Sequence, residues 1–220
     1  MDKIYVITQN ILRNIPKKSN TKCCVLLLCT QTKVVMLKST CMARRIFLKI
    51  TGLCFFPNHQ GLYDVLAIIE ACPRPFSVVA KKEIANIQFL KQVFACMKAY
   101  MLDREDVRQA MQVIVHVTEE VKRGRNYLIF AEGTRSKNGN KVGEFKGGSF
   151  KSATKAKCPI VPVALIDSFK PFDTNTISPV TVQVHFLEPI YYEEYQTMKT
   201  TEIAAEVKCR IQKIINENIK

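Results

Sequence analysis

The sequence predicts a single α/β domain in which helices flank a mostly parallel, twisted sheet. The main observation is that short apolar strand segments alternate with helical segments of 10–19 residues, a pattern typical of βαβ units. The run Pro159–Ile166 is a continuous apolar strand. The chain has 220 residues, 47% of them hydrophobic, and this suits one domain with a full-sized core.

The predicted elements follow one another from Leu53 onward. Strands are predicted at short apolar runs, and helices where apolar residues recur at three and four residues, the clearest of them ending before Gly124. The predicted strands are Cys54–Phe56, Phe76–Ala80, Ala99–Leu102, Tyr127–Ala131, Pro159–Ile166 and Thr181–Leu187. The predicted helices are Asp64–Cys72, Glu83–Met97, Glu105–Arg123, Ser149–Lys157 and Thr201–Ile219.

The formal net charge of +14 favours a polyanionic partner, either nucleic acid or an anionic membrane. The sequence contains no Trp and no alternation of aromatic and basic residues, so we expect no nucleic-acid partner. No apolar segment reaches the roughly 20 residues of a membrane-spanning helix, and membrane contact is therefore expected at the surface. Nine cysteines without a C-x-x-C pair or a secretory signal peptide indicate a reducing, cytosolic compartment.

The segment N-H-Q-G-L-Y-D, residues 58–64, places a histidine and an aspartate where a strand gives way to a helix. The turn can bring the Asp64 carboxylate to one imidazole nitrogen of His59, which fixes the tautomer and raises the basicity of the other nitrogen. No serine is built into this pair, so the substrate would supply the hydroxyl. The alternative is a helix-start histidine beside an unrelated acidic residue. The three histidines are dispersed, and no metal site is expected.

The segment F-A-E-G-T-R-S, residues 130–136, directly follows an apolar strand and suits an anion. Gly133 lets backbone N–H groups approach, and Arg135 can grip a phosphate with two parallel hydrogen bonds. The alternative is a solvated loop with a surface arginine. The lysines that follow form either a solvated basic face or a contact surface for anionic headgroups. These lysines are Lys137, Lys141, Lys146, Lys151, Lys155 and Lys157.

In this order and spacing, the motifs resemble the glycerolipid acyltransferase family, typified by bacterial 1-acyl-glycerol-3-phosphate acyltransferase. Four ordered blocks mark that family, and N-H-Q-G-L-Y-D resembles the first and F-A-E-G-T-R-S the third. The second is matched by A-K-K-E-I at 80–84 with L-D-R at 102–104, and the fourth by I-V-P-V-A at 160–164. The resemblance extends from Leu53 to Pro189. One departure is Gly61, where many members have Ser.

The resemblance implies that His59 is the general base and that Asp64 orients it. The residues implied to bind the acceptor are Lys81, Arg104, Glu132, Gly133, Thr134 and Arg135. Among these, Glu132 would hold the glycerol or brace Arg135, and Arg104 is the weaker phosphate ligand. Backbone N–H groups near Gly61 are expected to stabilise the tetrahedral oxyanion.

The implied reaction transfers a fatty acyl chain from an acyl thioester to the free hydroxyl of 1-acyl-glycerol-3-phosphate, which makes phosphatidic acid in phospholipid biosynthesis. The expected partners are the lysophospholipid acceptor, acyl-CoA or acyl-carrier protein as donor, and an anionic membrane surface. No further cofactor is expected. The protein would lie peripherally at the cytoplasmic face of the cell membrane. The rival function is that of a catalytically silent, basic peripheral membrane lipid-binding protein with the same fold.

Two regions are predicted: residues 1–52, an atypical basic N-terminal segment, and residues 53–220, the acyltransferase domain. The first contains ten Lys and Arg but one acidic residue, Asp2, and lacks clear periodicity. We hypothesise that much of it is translated out of frame, because a back-translation of Met36–Gly52, read from the third base, can give V-E-K-Y-V-Y-G-K-K-N-I-P-K-D-N-G. That peptide resembles the segment before the family's first block, and its loss would leave the sheet with an unpaired edge. The alternative is a genuine basic tail that lies on anionic membrane, and the codons of the gene decide between the two.

Overall fold

The computed structural model describes residues 35–41, 50–82, 94–95, 97–103, 106–174 and 179–219. The strands within these ranges are β1 (Val35–Cys41), β2 (Cys54–Pro57), β3 (Ser77–Lys81), β4 (Tyr100–Leu102), β5 (Tyr127–Ile129), β6 (Ile160–Ile166) and β7 (Val180–Phe186). The helices are α1 (Asp64–Ala71), α2 (Val107–Lys122), α3 (Lys151–Ala156), α4 (Lys170–Asp173), α5 (Tyr192–Tyr195) and α6 (Thr200–Asn218). A 3₁₀ turn at Gly147–Phe150 leads into α3.

The seven strands form one sheet in the order β1-β7-β6-β2-β5-β3-β4. Every neighbouring pair is parallel except β6 and β7, which are antiparallel. This confirms the predicted α/β domain with a mostly parallel sheet. Strands β2, β5 and β6 are parallel neighbours, so their carboxyl ends meet at one edge of the sheet, where ligands of such folds bind.

Side chains of the central strands alternate between two buried hydrophobic clusters, one on each face of the sheet. In β2, Cys54 and Phe56 belong to one cluster, while Phe55 belongs to the other. All seven residues of β6 are buried, as expected for a strand that is covered on both faces. Helices α2, α3 and α6 supply residues to the first cluster, and α1 packs against the opposite face.

Helix α2 follows the predicted apolar spacing and begins and ends within two residues of the predicted bounds. Its N-terminus is capped by the Asp106 carboxylate, which accepts two backbone N–H groups of the first turn. Three buried valines of α2 lie on the face that packs on the sheet: Val113, Val117 and Val121. The chain leaves the helix at Gly124, whose φ of +92° lies in the left-handed region that favours glycine.

Strand β1 lies within the N-terminal segment for which no regular structure was predicted. It pairs with β7 in parallel over seven residues, from Val35 opposite Val180 to Cys41 opposite Phe186. The expectation that this segment leaves the sheet edge without a partner strand is therefore wrong. An edge strand is held mainly by its backbone hydrogen bonds, and here Leu37 packs against the core while Lys38 is exposed, so the apolar pattern is weak. The out-of-frame hypothesis concerns the gene and stays a prediction.

Two further differences concern helices. Most of the predicted helix Glu83–Met97 lies outside the described residues. Helices α4 and α5 were not predicted, because four residues each cannot display a helical period. The predicted helix at Ser149–Lys157 is divided into the 3₁₀ turn and α3, and Lys157, the residue after α3, has a left-handed conformation (φ +54°).

Candidate active site

The carboxyl end of β2 delivers a histidine to the sheet edge, and the first residue of α1 meets it there. His59 Nδ1 lies 2.7 Å from Asp64 Oδ2, so the contact predicted from the motif is present. The Asp64 side chain is fully buried, whereas that of His59 is 18% exposed. This arrangement engages Nδ1 and leaves Nε2 as the imidazole nitrogen available to a substrate.

Asp64 accepts three hydrogen bonds in addition to the one from His59. The donors are the backbone N–H groups of Gln60 at 2.7 Å and Gly61 at 3.1 Å, and the hydroxyl of Ser168 at 2.6 Å. The expectation that N–H groups near Gly61 stabilise an oxyanion is therefore wrong, because the Asp64 carboxylate already uses them. Both N–H groups point at the Asp64 side chain, and the motif alone does not show their direction.

Gly61, the position that departs from the family pattern, lies close to the chain that enters α4. A Cβ added there would approach Phe169 Cα to 3.1 Å. A serine at this position would therefore require a small displacement of the segment around Phe169. The glycine fits the turn as it stands.

The loop after β5 holds His59 on three sides. Glu132 Oε1 accepts the His59 backbone N–H at 2.8 Å, and the Ser136 N–H donates to the His59 carbonyl at 2.7 Å. The Phe130 ring stacks on the imidazole with 4.1 Å between ring centres. In the sequence, 66 positions separate the end of the first motif at Asp64 from the start of the second at Phe130. In the structure, the two motifs form one structural unit around the histidine.

Glu132 is buried, and each of its carboxylate oxygens accepts a backbone N–H. The second donor is Gly143, whose N–H lies 3.1 Å from Oε2. Burial raises the pKa of the Glu132 carboxyl above its ordinary value, and the hydrogen bonds from His59 and Gly143 partly oppose that increase. These contacts give Glu132 a different set of partners from the glycerol or Arg135 that the resemblance implied: it connects the backbone of His59 to the loop at Gly143.

The residues expected to bind phosphate line the same cavity as His59. Lys81 ends β3, and Gly133, Thr134 and Arg135 follow β5; the three larger side chains are exposed. Arg104, the weaker candidate, lies outside the described residues. Two lysines of the basic run, Lys146 and Lys151, line the cavity as well and were not among the expected ligands. The cavity therefore brings basic side chains together beside the histidine.

The whole cavity has a volume of about 750 Å³, and most of its remaining lining is apolar. The cavity extends from His59 and lies between helix α2 on one side and α1 and β3 on the other. Its apolar lining includes Leu62, Val65, Leu66, Val79, Met111, Ile114 and Val117. A cationic mouth joined to an apolar interior suits a molecule with an anionic head and a hydrocarbon chain.

Some polar residues of the site were not singled out from the sequence. Ser168 lies two residues beyond β6, and Asn140 lies in the loop after β5. Asn58 exchanges two hydrogen bonds with the Leu165 backbone, at 2.7 and 3.0 Å, and so ties the loop after β2 to β6. D-S directly follows the predicted apolar strand, so the sequence places Ser168 at the carboxyl edge of a parallel sheet but does not give its partner there.

A family model described as Acyltransferase matches residues 45–166 of the chain. The chain belongs to the acyltransferase family. The match begins eight residues before Leu53, so the resemblance extends further toward the N-terminus than the four motifs indicated.

Two bacterial proteins with similar sequences share one name. It is 30% identical over 149 residues to the 1-acyl-sn-glycerol-3-phosphate acyltransferase of Helicobacter pylori, covering 63% of each chain. It is 29% identical over 164 residues to the 1-acyl-sn-glycerol-3-phosphate acyltransferase of Escherichia coli, covering 74% of this chain and 66% of that protein. The chain thus spans just under two thirds of the length of these relatives.

A solved structure shares the fold of this acyltransferase. The 1-acyl-sn-glycerophosphate acyltransferase PlsC from Thermotoga maritima superposes with a TM-score of 0.69 at 22% identity, over 97% of this chain and 78% of that one. Within the described residues of the present chain, no helix is both long enough and apolar enough to cross a bilayer.

Proposed function

We propose that this acyltransferase moves a fatty acyl chain from an acyl thioester to the free hydroxyl of 1-acyl-glycerol-3-phosphate and so makes phosphatidic acid in phospholipid biosynthesis. The observation that carries the proposal is the position of the His59–Asp64 pair, where an apolar cavity meets a group of cations. The names of the relatives support the acceptor. The donor is acyl-CoA or acyl-carrier protein.

In the proposed reaction, His59 Nε2 accepts the proton of the acceptor hydroxyl while the hydroxyl oxygen attacks the thioester carbonyl carbon. A C–O bond forms, and the C–S bond then breaks as the imidazolium returns the proton to the departing sulfur. Asp64 holds Nδ1–H and stabilises the transient imidazolium. A positioned base of this kind contributes about 10²–10⁴-fold in rate. The thioester supplies the acyl group and His59 transfers the proton, so the reaction needs no further cofactor.

The acceptor phosphate is proposed to bind Lys81 and Arg135, with Gly133 and Thr134 contributing the loop that surrounds it. Arg135 can donate two parallel hydrogen bonds to phosphate, whereas Lys81 acts as a point charge. The apolar lining receives a hydrocarbon chain. The proposal thus uses the charge and the apolar surface of one cavity for the two ends of a lysophospholipid.

The membrane partner is proposed from the surface around the cavity. Leu62 and Met111 line the cavity and are nevertheless exposed, and Val115 is exposed one helical turn beyond Met111 on α2. Together with Lys146 and Lys151, these residues combine apolar contacts with positive charge, as peripheral binding to an anionic membrane requires. We place this contact at the cytoplasmic face of the cell membrane.

Because the sequence contains no tryptophan, a single introduced tryptophan reports this contact directly. Val115→Trp should lose fluorescence on anionic vesicles that contain brominated acyl chains. Ile219→Trp is the matched control, since both positions are 46% exposed and Ile219 follows α6. Equal quenching at the two positions, or none at Val115→Trp, would contradict the proposed membrane face.

The acyl-transfer proposal is tested with a panel of acceptors and donors. Lysophosphatidate, its neutral counterpart 1-acyl-glycerol and lysophosphatidylcholine are each offered with radiolabelled acyl-CoA or acyl-carrier protein. Label should appear in phosphatidate and should depend on the acceptor phosphate. Binding of lysophosphatidate without acyl release from either donor would instead support the catalytically silent lipid-binding protein.

A further inference from the structure

The hydroxyl of Ser168 is fixed on the oxygen of Asp64 that faces away from the histidine. Ser168 Oγ donates to Asp64 Oδ1 at 2.6 Å, within the short range of charge-assisted O–H···O⁻ hydrogen bonds. Both residues are fully buried. On the other carboxylate oxygen, Oδ2 lies 2.7 Å from both His59 Nδ1 and the Gln60 N–H. Each oxygen of the carboxylate therefore has its own close donor.

Ser168 is itself held by a hydrogen-bond network that connects three loops at the sheet edge. Its backbone N–H donates to Gln60 Oε1 at 2.8 Å, and Gln60 Nε2 donates to Asn140 Oδ1 at 2.8 Å. The same Asn140 oxygen accepts the Asp167 N–H at 2.8 Å, and Asn140 Nδ2 donates to Asp167 Oδ1 at 2.9 Å. Asp167 has a φ of +61°, a left-handed conformation that costs energy in a residue other than glycine and is maintained here by these contacts.

We propose that Ser168 is a positioning residue of the His59–Asp64 pair. Its hydroxyl fixes the plane of the Asp64 carboxylate and spreads its negative charge, so that Oδ2 stays aimed at His59 Nδ1. Ser168 lies outside the cavity lining, and it acts on the reaction only through Asp64. This inference rests on the proposed function for its kinetic consequences, but the hydrogen bond itself can be followed without any substrate.

The Ser168 hydroxyl has two separable effects on the pair. Without it, Oδ1 keeps the longer hydrogen bond from the Gly61 N–H at 3.1 Å, and the carboxylate is held less firmly. The loss of a charge-assisted hydrogen bond should lower kcat about tenfold in Ser168→Ala. The KM values for both substrates should stay within about twofold, because no cavity residue changes. The carboxylate also becomes more basic and attracts the imidazolium more strongly. The rising limb of kcat against pH should therefore move to higher pH.

The pH effect can be assigned to the lost hydroxyl because the surrounding charges are the same in every Ser168 variant. These groups come from the end of β3, from the loops after β5 and β6 and from α4: Lys81, Glu132, Arg135, Asp167, Lys170 and Asp173. A change in the pH profile that follows the hydroxyl therefore does not arise from a rearranged charge set.

Two substitutions separate positioning from simple packing. Ser168→Cys keeps the size of the side chain but offers only a weak donor, so its kcat should resemble that of Ser168→Ala. Ser168→Thr restores the hydroxyl and should recover most of the lost kcat. Ser77→Ala is the matched control, since Ser77 is a buried serine at the start of β3 that lies near Tyr127 and outside the cavity lining. It should change stability without moving the pH profile.

The decisive measurement combines kinetics with the proton NMR signal of His59 Nδ1–H, which is identified among only three histidines. The proposal expects this signal to change in Ser168→Ala and Ser168→Cys, to return toward the wild-type position in Ser168→Thr, and to stay unchanged in Ser77→Ala. An unchanged signal together with a wild-type kcat in Ser168→Ala would overturn it, as would equal effects of Ser77→Ala. If Ser168→Ala does not fold, Ser168→Cys decides by the same readouts. If the wild-type chain transfers no acyl group but the signal responds as expected, the proposed function fails and the positioning role stands.

Discussion

Replacing Glu132 by glutamine tests how the acyltransferase positions its base. The carboxylate accepts the His59 N–H at 2.8 Å and the Gly143 N–H at 3.1 Å within a buried site. The amide of Glu132→Gln retains one acceptor oxygen and turns an NH₂ group toward the other N–H. One hydrogen bond is lost, and one buried backbone donor is left facing another donor.

The expected magnitudes follow from two opposing effects on this site. A hydrogen bond to a charged group contributes about 1.5–3 kcal/mol, and its loss destabilises the fold. The substitution also removes a charge whose burial is unfavourable, as the raised pKa of Glu132 shows. We therefore expect the free energy of unfolding to change by less than about 2 kcal/mol. Because a displacement of about 1 Å can reduce a rate by about 10²-fold, kcat should fall about 10- to 100-fold.

The raised pKa of Glu132 also predicts opposite pH trends for stability and activity. Its pKa is raised in the folded chain above the ordinary 4.5, so the folded state binds this proton more tightly than the unfolded state. The contribution of this proton to stability is fully present below about pH 4.5 and is lost as pH rises through the raised pKa. Activity requires the ionised carboxylate that accepts both N–H groups, and it should fall as pH decreases through the same window.

The assay compares wild type, Glu132→Gln and Glu144→Gln by steady-state kinetics and by urea unfolding at several pH values. Glu144 is the matched control, because it undergoes the same chemical change at a side chain that is 89% exposed. The stability trend should disappear from Glu132→Gln and persist in Glu144→Gln. The low-pH decline of kcat should become shallower in Glu132→Gln, because only the limb set by the His59 base remains. A kcat within twofold of wild type for Glu132→Gln, with an unchanged low-pH decline, would refute the reasoning.

Three further predictions follow from the site. Arg135→Ala should weaken the affinity for lysophosphatidate roughly tenfold and Arg135→Lys should restore it only partly, whereas equal loss toward 1-acyl-glycerol in a binding assay would contradict a phosphate contact. Gly143→Ala should have a larger effect on kcat than on the free energy of unfolding, since the added Cβ would overlap Glu132 Oε2. A wild-type kcat would show that this loop does not position the base. Binding to anionic vesicles should weaken as salt rises from 0.1 to 1 M, where the Debye length shrinks from about 10 to about 3 Å, and tight binding to neutral vesicles at high salt would indicate apolar insertion instead.

The contact between His59 and Asp64 was predictable because both residues belong to one short turn, so their spacing limits the geometry. The alternation of strands and helices likewise determined the parallel sheet, including β6, which is apolar at every position. The buried valines of α2 followed from their regular spacing. These features depend on local sequence and periodicity, and the structure agrees with them.

Other features depend on partners that are distant along the chain. The Ser168–Asp64 hydrogen bond exists only because β2 and β6 are neighbours, and the sequence does not state strand order. Glu132 binds backbone N–H groups, which every residue offers, so the choice of His59 and Gly143 could not be read from residue types. The N–H of Gly61 points to Asp64 rather than to the substrate for the same reason.

The central claim is that His59 is the base of an acyl-transfer reaction, and a single comparison tests it most directly. The transfer of labelled acyl chain from thioester to lysophosphatidate is measured for the wild-type chain, His59→Ala and His116→Ala, where His116 packs on Tyr100 and serves as the matched histidine control. We expect the wild type and His116→Ala to form phosphatidate at similar rates and His59→Ala to lose at least about 10²-fold in kcat. Retention of more than about a tenth of the wild-type kcat by a folded His59→Ala would contradict the claim.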